Sequence, residues 1–326
     1  MKISEIASLA GVSSAAVSRY FNGRSLSQEK REKIKKVVEE YGYVPSSCAR
    51  TMRTKKSMQV GVMIPKIDSE SMPSIVAGIG ITLGEAGYNF LLADTGSRTE
   101  KELEYLEVFR HYQLDGVIFA AAQLTEEHRE ALGRLPMPVV ILGQYLEEYD
   151  CVYHRDKEAA YEMMKRLLEA GCKKIAYIGV DERDAAAGAQ RRQGVCDALR
   201  SFGKSERDMV FELADFSRES GYQAMKRLIC EHPDLDGVFG ATDDIAVGAM
   251  IFLKEIGRKI PGQIKIAGIG DSDMGKVITP SLTTAHYHYR TSGKKAAQLL
   301  LERMEDREKG LEKIQLGFEV IARETV

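Results

Sequence analysis

Apolar residues fall at helical spacing twice near the start of the chain, at Ile3, Ile6, Ala7 and Ala10 and again at Ile34, Val37, Val38 and Tyr41. Gly11-Val12-Ser13 offers a tight connection, because glycine takes the positive φ such a turn needs, so a first helix ending near Ala10 is followed by a second starting around Ser14. Ser27 stands where it can cap a third helix, Glu29 sits at that helix's positive end, and Gly42 can stop it after Tyr41. From Gln59 the pattern changes. Short apolar runs at residues 60–64, 90–93, 116–119 and 139–142, then at 175–178, 237–240 and 264–267, alternate with amphipathic helical stretches. Continuous apolar runs between helices predict parallel strands covered on both faces, and the length accommodates two such sheets dividing near residues 155–158.

The composition is that of a soluble globular protein: 326 residues, 44% hydrophobic and 29% charged, with no apolar run approaching a membrane span. Met1-Lys2-Ile3-Ser4-Glu5-Ile6 places polar groups where a secretion signal needs apolar ones, which predicts a cytoplasmic protein. The five cysteines are scattered without Cys-x-x-Cys spacing, arguing against a disulfide framework or a structural zinc. Charge alters the picture more. The net −2 conceals a +7 segment over residues 1–56 and a −9 remainder. A small basic module with helical periodicity on an acidic body is the footprint of a protein that presents one end to a polyanion.

Helix, tight turn, helix and a supporting helix form a DNA-reading layout whose second helix enters the major groove. Its exposed positions are expected to be Ser14, Ala15, Ser18 and Arg19, with Arg19 the natural bidentate donor to a base edge and Ala15 limited to apolar contact. The strings Ile3-Ser4-Glu5-Ile6-Ala7, Ala10-Gly11-Val12-Ser13 and Val17-Ser18-Arg19-Tyr20-Phe21-Asn22, with Tyr43-Val44-Pro45-Ser46 and Ala49-Arg50-Thr51-Met52 after them, resemble the headpiece and hinge of the lactose-repressor (LacI/GalR) family. The resemblance extends over essentially the whole chain. It implies an all-α helix-turn-helix headpiece (1–45), a hinge helix and linker (46–57), and an α/β periplasmic-binding-protein-like body (58–326). That body has two doubly wound parallel-sheet lobes, one of about 58–157 plus 286–317, the other about 158–285, the chain crossing back near Ala285.

The resemblance places Asn22 in the DNA-binding set and a minor-groove wedge at Met52, where the family carries leucine, with Arg50 and Arg53 near phosphates. A hinge of about two turns is too short to be helical alone, since isolated helices under roughly 12–15 residues are marginal, so it would order only beside its dimer mate on DNA. In the body, ligands bind beyond the carboxyl ends of parallel strands. That rule selects Lys66, Asp68, Gln144, Asp243 and Asp271, and the resemblance adds Arg191 and Phe216 as effector contacts. Gly270 replaces an aspartate common in the family. The strings Ile67-Asp68-Ser69 and Ile269-Gly270-Asp271-Ser272 look like a trehalose- or sucrose-operon branch, although the trehalose-6-phosphate-responsive branch has arginine where Gln144 stands.

The resulting expectation is a homodimeric transcription regulator on double-stranded operator DNA, a repressor of carbohydrate-use genes controlled by a small carbohydrate or sugar-phosphate effector. Lys66 and Arg191 would be the charge partners of a phosphate. His286 and His288 share a strand face, but no third metal ligand is evident nearby. There is no phosphate-binding loop, dinucleotide fingerprint or nucleophile elbow, so neither cofactor nor catalysis is expected. The alternatives are a sugar-binding protein without DNA function, and a sugar-modifying enzyme with Asp243 and Asp271 as paired carboxylates.

Overall fold

A computed structural model describes residues 1, 3–21, 25–43 and 56–326, and the chain divides into compact units at residues 1–57 and 58–326. In the first unit, α1 (Ile3–Leu9), α2 (Ser14–Phe21) and α3 (Gln28–Glu40) close over Ile6, Ala7, Ala10, Ala16, Val17, Ile34 and Val37. Gly11 makes the α1–α2 turn at φ +64°, and the Ser13 hydroxyl accepts the Ala16 amide at 3.2 Å at the start of α2. Gly42, at φ +59°, ends α3 as its spacing implies. Ser27 occupies the N-cap position of α3, but its side chain makes no capping hydrogen bond. The segment expected to form the hinge helix, with Arg50, Met52 and Arg53, lies outside the described residues, and so does Asn22 after α2.

The second unit has two six-stranded sheets. Lobe 1 contains β1 (Gln59–Ile64), α4 (Met72–Glu85), β2 (Asn89–Asp94), α5 (Thr99–His111), β3 (Gly116–Ala120), α6 (Glu126–Gly133), β4 (Val139–Leu142) and β5 (Asp150–His154). Lobe 2 follows with α7 (Asp156–Glu169), β6 (Ile175–Gly179), α8 (Arg191–Ser201), β7 (Met209–Leu213), α9 (Arg218–Glu231), β8 (Gly237–Gly240), α10 (Asp243–Glu255), β9 (Lys265–Ile269), α11 (Asp273–Val277) and β10 (Thr283–Tyr287). The chain then returns to lobe 1 for α12 (Tyr289–Glu305) and β11 (Lys313–Leu316), and ends in lobe 2 with β12 (Phe318–Ile321).

The sheet orders are β11-β5-β4-β3-β1-β2 and β12-β10-β9-β8-β6-β7, parallel throughout except for antiparallel β12. Both faces of the central strands are buried, which is why those strands read as unbroken apolar runs: Val60, Val62 and Ile64 of β1 pack toward α4 and α12, while Met63 packs toward α5 and Phe119. The lobes are joined at Arg155, His288 and Gly317. The second crossing falls past Tyr287 rather than near Ala285, because Tyr287 still pairs with Phe318 in the lobe 2 sheet, and residues 318–321 extend that sheet.

Candidate effector site

The carboxyl ends of the strands converge on one cavity between the lobes, about 1150 Å³ counting the solvent at its mouth. Lobe 1 supplies Lys66, Ser69 and Glu70 after β1, Ala121 and Ala122 after β3, Gln144 after β4 and His154 at the end of β5. From lobe 2 come Asp184, Arg191, Phe216, Thr242, Asp244 and Gly270, and the crossing at His288 adds Tyr287 and Tyr289.

At the floor Arg191 is 7% exposed and heavily engaged. Its Nε donates to Asp156 Oδ1 at 2.8 Å, its second terminal nitrogen lies 2.7 Å from the same oxygen, and the first donates to the Ala241 carbonyl at 2.6 Å. The Tyr287 hydroxyl donates to that Asp156 oxygen at 3.0 Å. Burial works against the guanidinium charge, but Asp156 and Tyr287 outweigh it and raise the Arg191 pKa. The His154 ring stacks parallel on Tyr287 with centroids 4.5 Å apart, and its Nε2 is buried without a hydrogen-bond partner. Burial pushes the pKa of His154 down to about 4, leaving the ring neutral at pH 7.

Apart from Lys66, the remaining charge is acidic. Glu70 is pushed up to about 7 by burial and then by Asp244 and Asp243 across the cleft. Asp184 accepts the amides of Ala186 and Ala187 and is raised to about 6 by burial. Asp244 pairs with Arg218 at 3.1 Å, and burial raises its pKa also.

Of the residues read from the sequence, Lys66, Gln144, Arg191 and Phe216 line this cavity. Gln144 is buried and donates to the carbonyls of Ala121 and Ala122. Three others do not reach it. Asp68 points to solvent and pairs with Lys66 at 3.4 Å. Asp243 is fully buried inside lobe 2, accepting from the Thr284 hydroxyl at 2.6 Å and the Ser272 amide at 2.7 Å. Asp271 turns away to Arg323, Lys276 and His286. The strand-end rule finds the right loops but not the direction of each side chain, and these two aspartates do not form a pair facing a substrate. His286 and His288 also point away, to Asp271 and Glu319. No group of three metal-ligating side chains occurs among the described residues.

Sequence reasoning passed over Glu70, His154, Asp156, Asp184, Asp244, Tyr287 and Tyr289. Asp156 and His154 follow from the strand-end rule once β5 is recognised. Tyr287 lies between the two histidines that draw attention, and strand alternation sends it to the opposite face.

In the first unit, α2 exposes Ser14, Ala15 and Arg19 and half-buries Ser18, while Ala16 and Val17 enter the core. A helix-turn-helix unit and a two-lobed body with a ligand cleft together define a ligand-responsive DNA-binding regulator. Residues 2–46 match the model of bacterial regulatory proteins of the lacI family, and residues 164–326 match a periplasmic binding protein-like domain. The chain is 31% identical over 326 residues to the HTH-type transcriptional regulator IdnR of Escherichia coli, covering 98% of this chain and 97% of the relative. It is 29% identical over 299 residues to the sucrose operon repressor of Staphylococcus xylosus, covering 91% and 92%. A solved complex of the transcriptional regulator CelR with cellobiose superposes with a TM-score of 0.77 at 27% identity, over 100% of both chains. The chain belongs to the lacI family of bacterial regulatory proteins, a family of transcription regulators and not of enzymes.

Proposed function

We propose that this protein is a homodimeric repressor of carbohydrate-use genes, acting in the cytoplasm, whose hold on a palindromic operator is set by a carbohydrate bound between its lobes. The observation that carries the reading is the cleft itself. Polar groups from both lobes meet at its floor beside Phe216, Tyr287 and Tyr289, the mixture of hydroxyl partners and aromatic plates that suits a sugar.

Ligand that touches both lobes favours their closure, and a change in lobe 1 alters how two hinge segments meet on DNA. This is coupling between distinct sites, and it requires the effector to bind the two body arrangements unequally. On the DNA side, Ser14, Ala15, Ser18, Arg19 and Asn22 would face the major groove. Arg50, Met52 and Arg53 would act at the operator centre. Two-fold pairing is supported by the free edge of lobe 1, where Leu91 and Leu92 of β2 and Ile81 of α4 are exposed beside unpaired strand backbone. No helix among the described residues is long and apolar enough to cross a membrane.

A gel shift with duplexes from upstream of the neighbouring genes, with and without sucrose and cellobiose, tests the reading. Retarded duplex whose fraction changes with one sugar is expected. Failure of the intact protein to retard any of these duplexes at low salt overturns it.

A further inference from the structure

We infer that the cleft is built for an uncharged, hydroxyl-rich ligand and rejects the phosphorylated form of the same sugar. This rests on the carbohydrate reading of the cleft and names the ligand class within it. A phosphate monoester is close to doubly charged at neutral pH and its oxygens chiefly accept, so a site for it needs cationic donors free to turn toward it.

Three basic side chains line the cavity. Arg191 commits three of its five N–H groups, Nε and one terminal nitrogen toward Asp156 and the other terminal nitrogen to the Ala241 carbonyl, and Asp156 offsets its charge and holds the guanidinium in place. His154 is neutral at pH 7. Lys66 is half exposed and pairs with Asp68 outside the cavity. With Asp156 matched by Arg191, the lining carboxyl groups that remain are Glu70, Asp184 and Asp244, from both lobes, and the partner of Asp244, Arg218, does not line the cavity. Asp244 already disfavours the charged form of Glu70 across the gap, and a phosphate placed beside them would add a further anion.

An ionised carboxylate only accepts, so it meets the oxygens of a phosphate with nothing to share. It suits sugar hydroxyls, which donate. His154 Nε2, buried and unpartnered, can meet one more hydroxyl without bringing charge. Phe216, exposed on the lobe 2 side, offers a surface for the apolar face of a sugar ring.

The test is calorimetric titration of the full-length protein with sucrose, sucrose 6-phosphate, cellobiose and cellobiose 6′-phosphate, repeated on a Glu70→Gln/Asp244→Asn double variant. The neutral member of at least one pair should bind, with its phosphate at least about tenfold weaker, and the double variant should narrow that ratio severalfold. Because the readout is a ratio within one protein, a general loss of stability in the variant cancels. A phosphate that binds as tightly as its parent sugar, or a ratio unchanged in the double variant, overturns the inference while leaving the carbohydrate reading in place. Binding of none of the four by a protein that still retards its operator would remove the carbohydrate reading, and this inference with it.

Discussion

Arg191, Asp156 and Tyr287 are far apart in sequence, yet they tie two of the three strands of chain that join the lobes. Asp156 opens α7 just after the first crossing, Tyr287 ends β10 just before the second, and Arg191 reaches both from α8. Removing one partner of a buried ion pair strands the other. Arg191→Ala is therefore expected to cost about 3–5 kcal/mol and lower the melting temperature by roughly 10 °C, besides abolishing the effector response. Thermal unfolding checks the first and operator release the second.

Glu70 makes a prediction in pH. Its native pKa of about 7, against a usual 4.5, means that between these values the native state holds a proton the unfolded chain releases, so its contribution to stability falls as pH rises through that window. Glu70→Gln removes this loss. Its melting temperature relative to the parent should climb from about pH 4.5 to 7 and level off above, and a difference independent of pH would contradict the assignment. At this scale the sequence disclosed Arg191 only through resemblance. Glu70 was hidden because nothing local to it says that Asp244 lies across a gap.

Among elements, glycine sets how closely helices approach. A Cβ at Gly293 of α12 would lie 2.0 Å from the Ile75 carbonyl of α4, and one at Gly78 of α4 would lie 2.2 Å from the Arg290 carbonyl. The same device joins α7 to α8 at Gly194 and α9 to α10 at Gly221 and Gly248. Because α4 and the start of α12 carry Met72, Ile75, Tyr289 and Ser292 into the cleft, their spacing is also the spacing of the site. Gly293→Ala should cost about 3 kcal/mol or more and weaken effector binding. Gly84→Ala, with nothing within 4 Å, should be neutral or slightly stabilising by calorimetry.

Seven of the twelve strands of the second unit were legible as apolar runs. The five others, β5, β7, β10, β11 and β12, carry interspersed polar residues, and β7, β11 and β12 lie at sheet edges where one side is open to water. Edge strands need no continuous apolar signal, so the rule that finds central strands misses these three, although the edge strand β2 carries an apolar run at 90–93 and is found.

For the whole molecule, the basic first unit and the acidic body predict a division of labour. Leu92→Lys, on the free edge of lobe 1, should shift the protein toward monomer in sedimentation and weaken operator binding, while sugar binding in the cleft persists. A stable dimer in that variant would place the partner surface elsewhere. What the sequence determined alone is what local physics can write into a chain: three helices around Gly11, central strands buried on both faces, and a concentration of positive charge in the first sixth. Which strand-end carboxylates face the cleft was decided by tertiary structure. Asp243 and Asp271 satisfy the same positional rule as Gln144, but buried hydrogen bonds and ion pairs turn them inward and away. The crossings at His288 and Gly317, which make two sheets into two lobes with a floor between them, depend on pairings such as Tyr287 with Phe318. Side-chain direction and long-range strand pairing are set by partners distant in sequence, and periodicity within a segment carries no record of them.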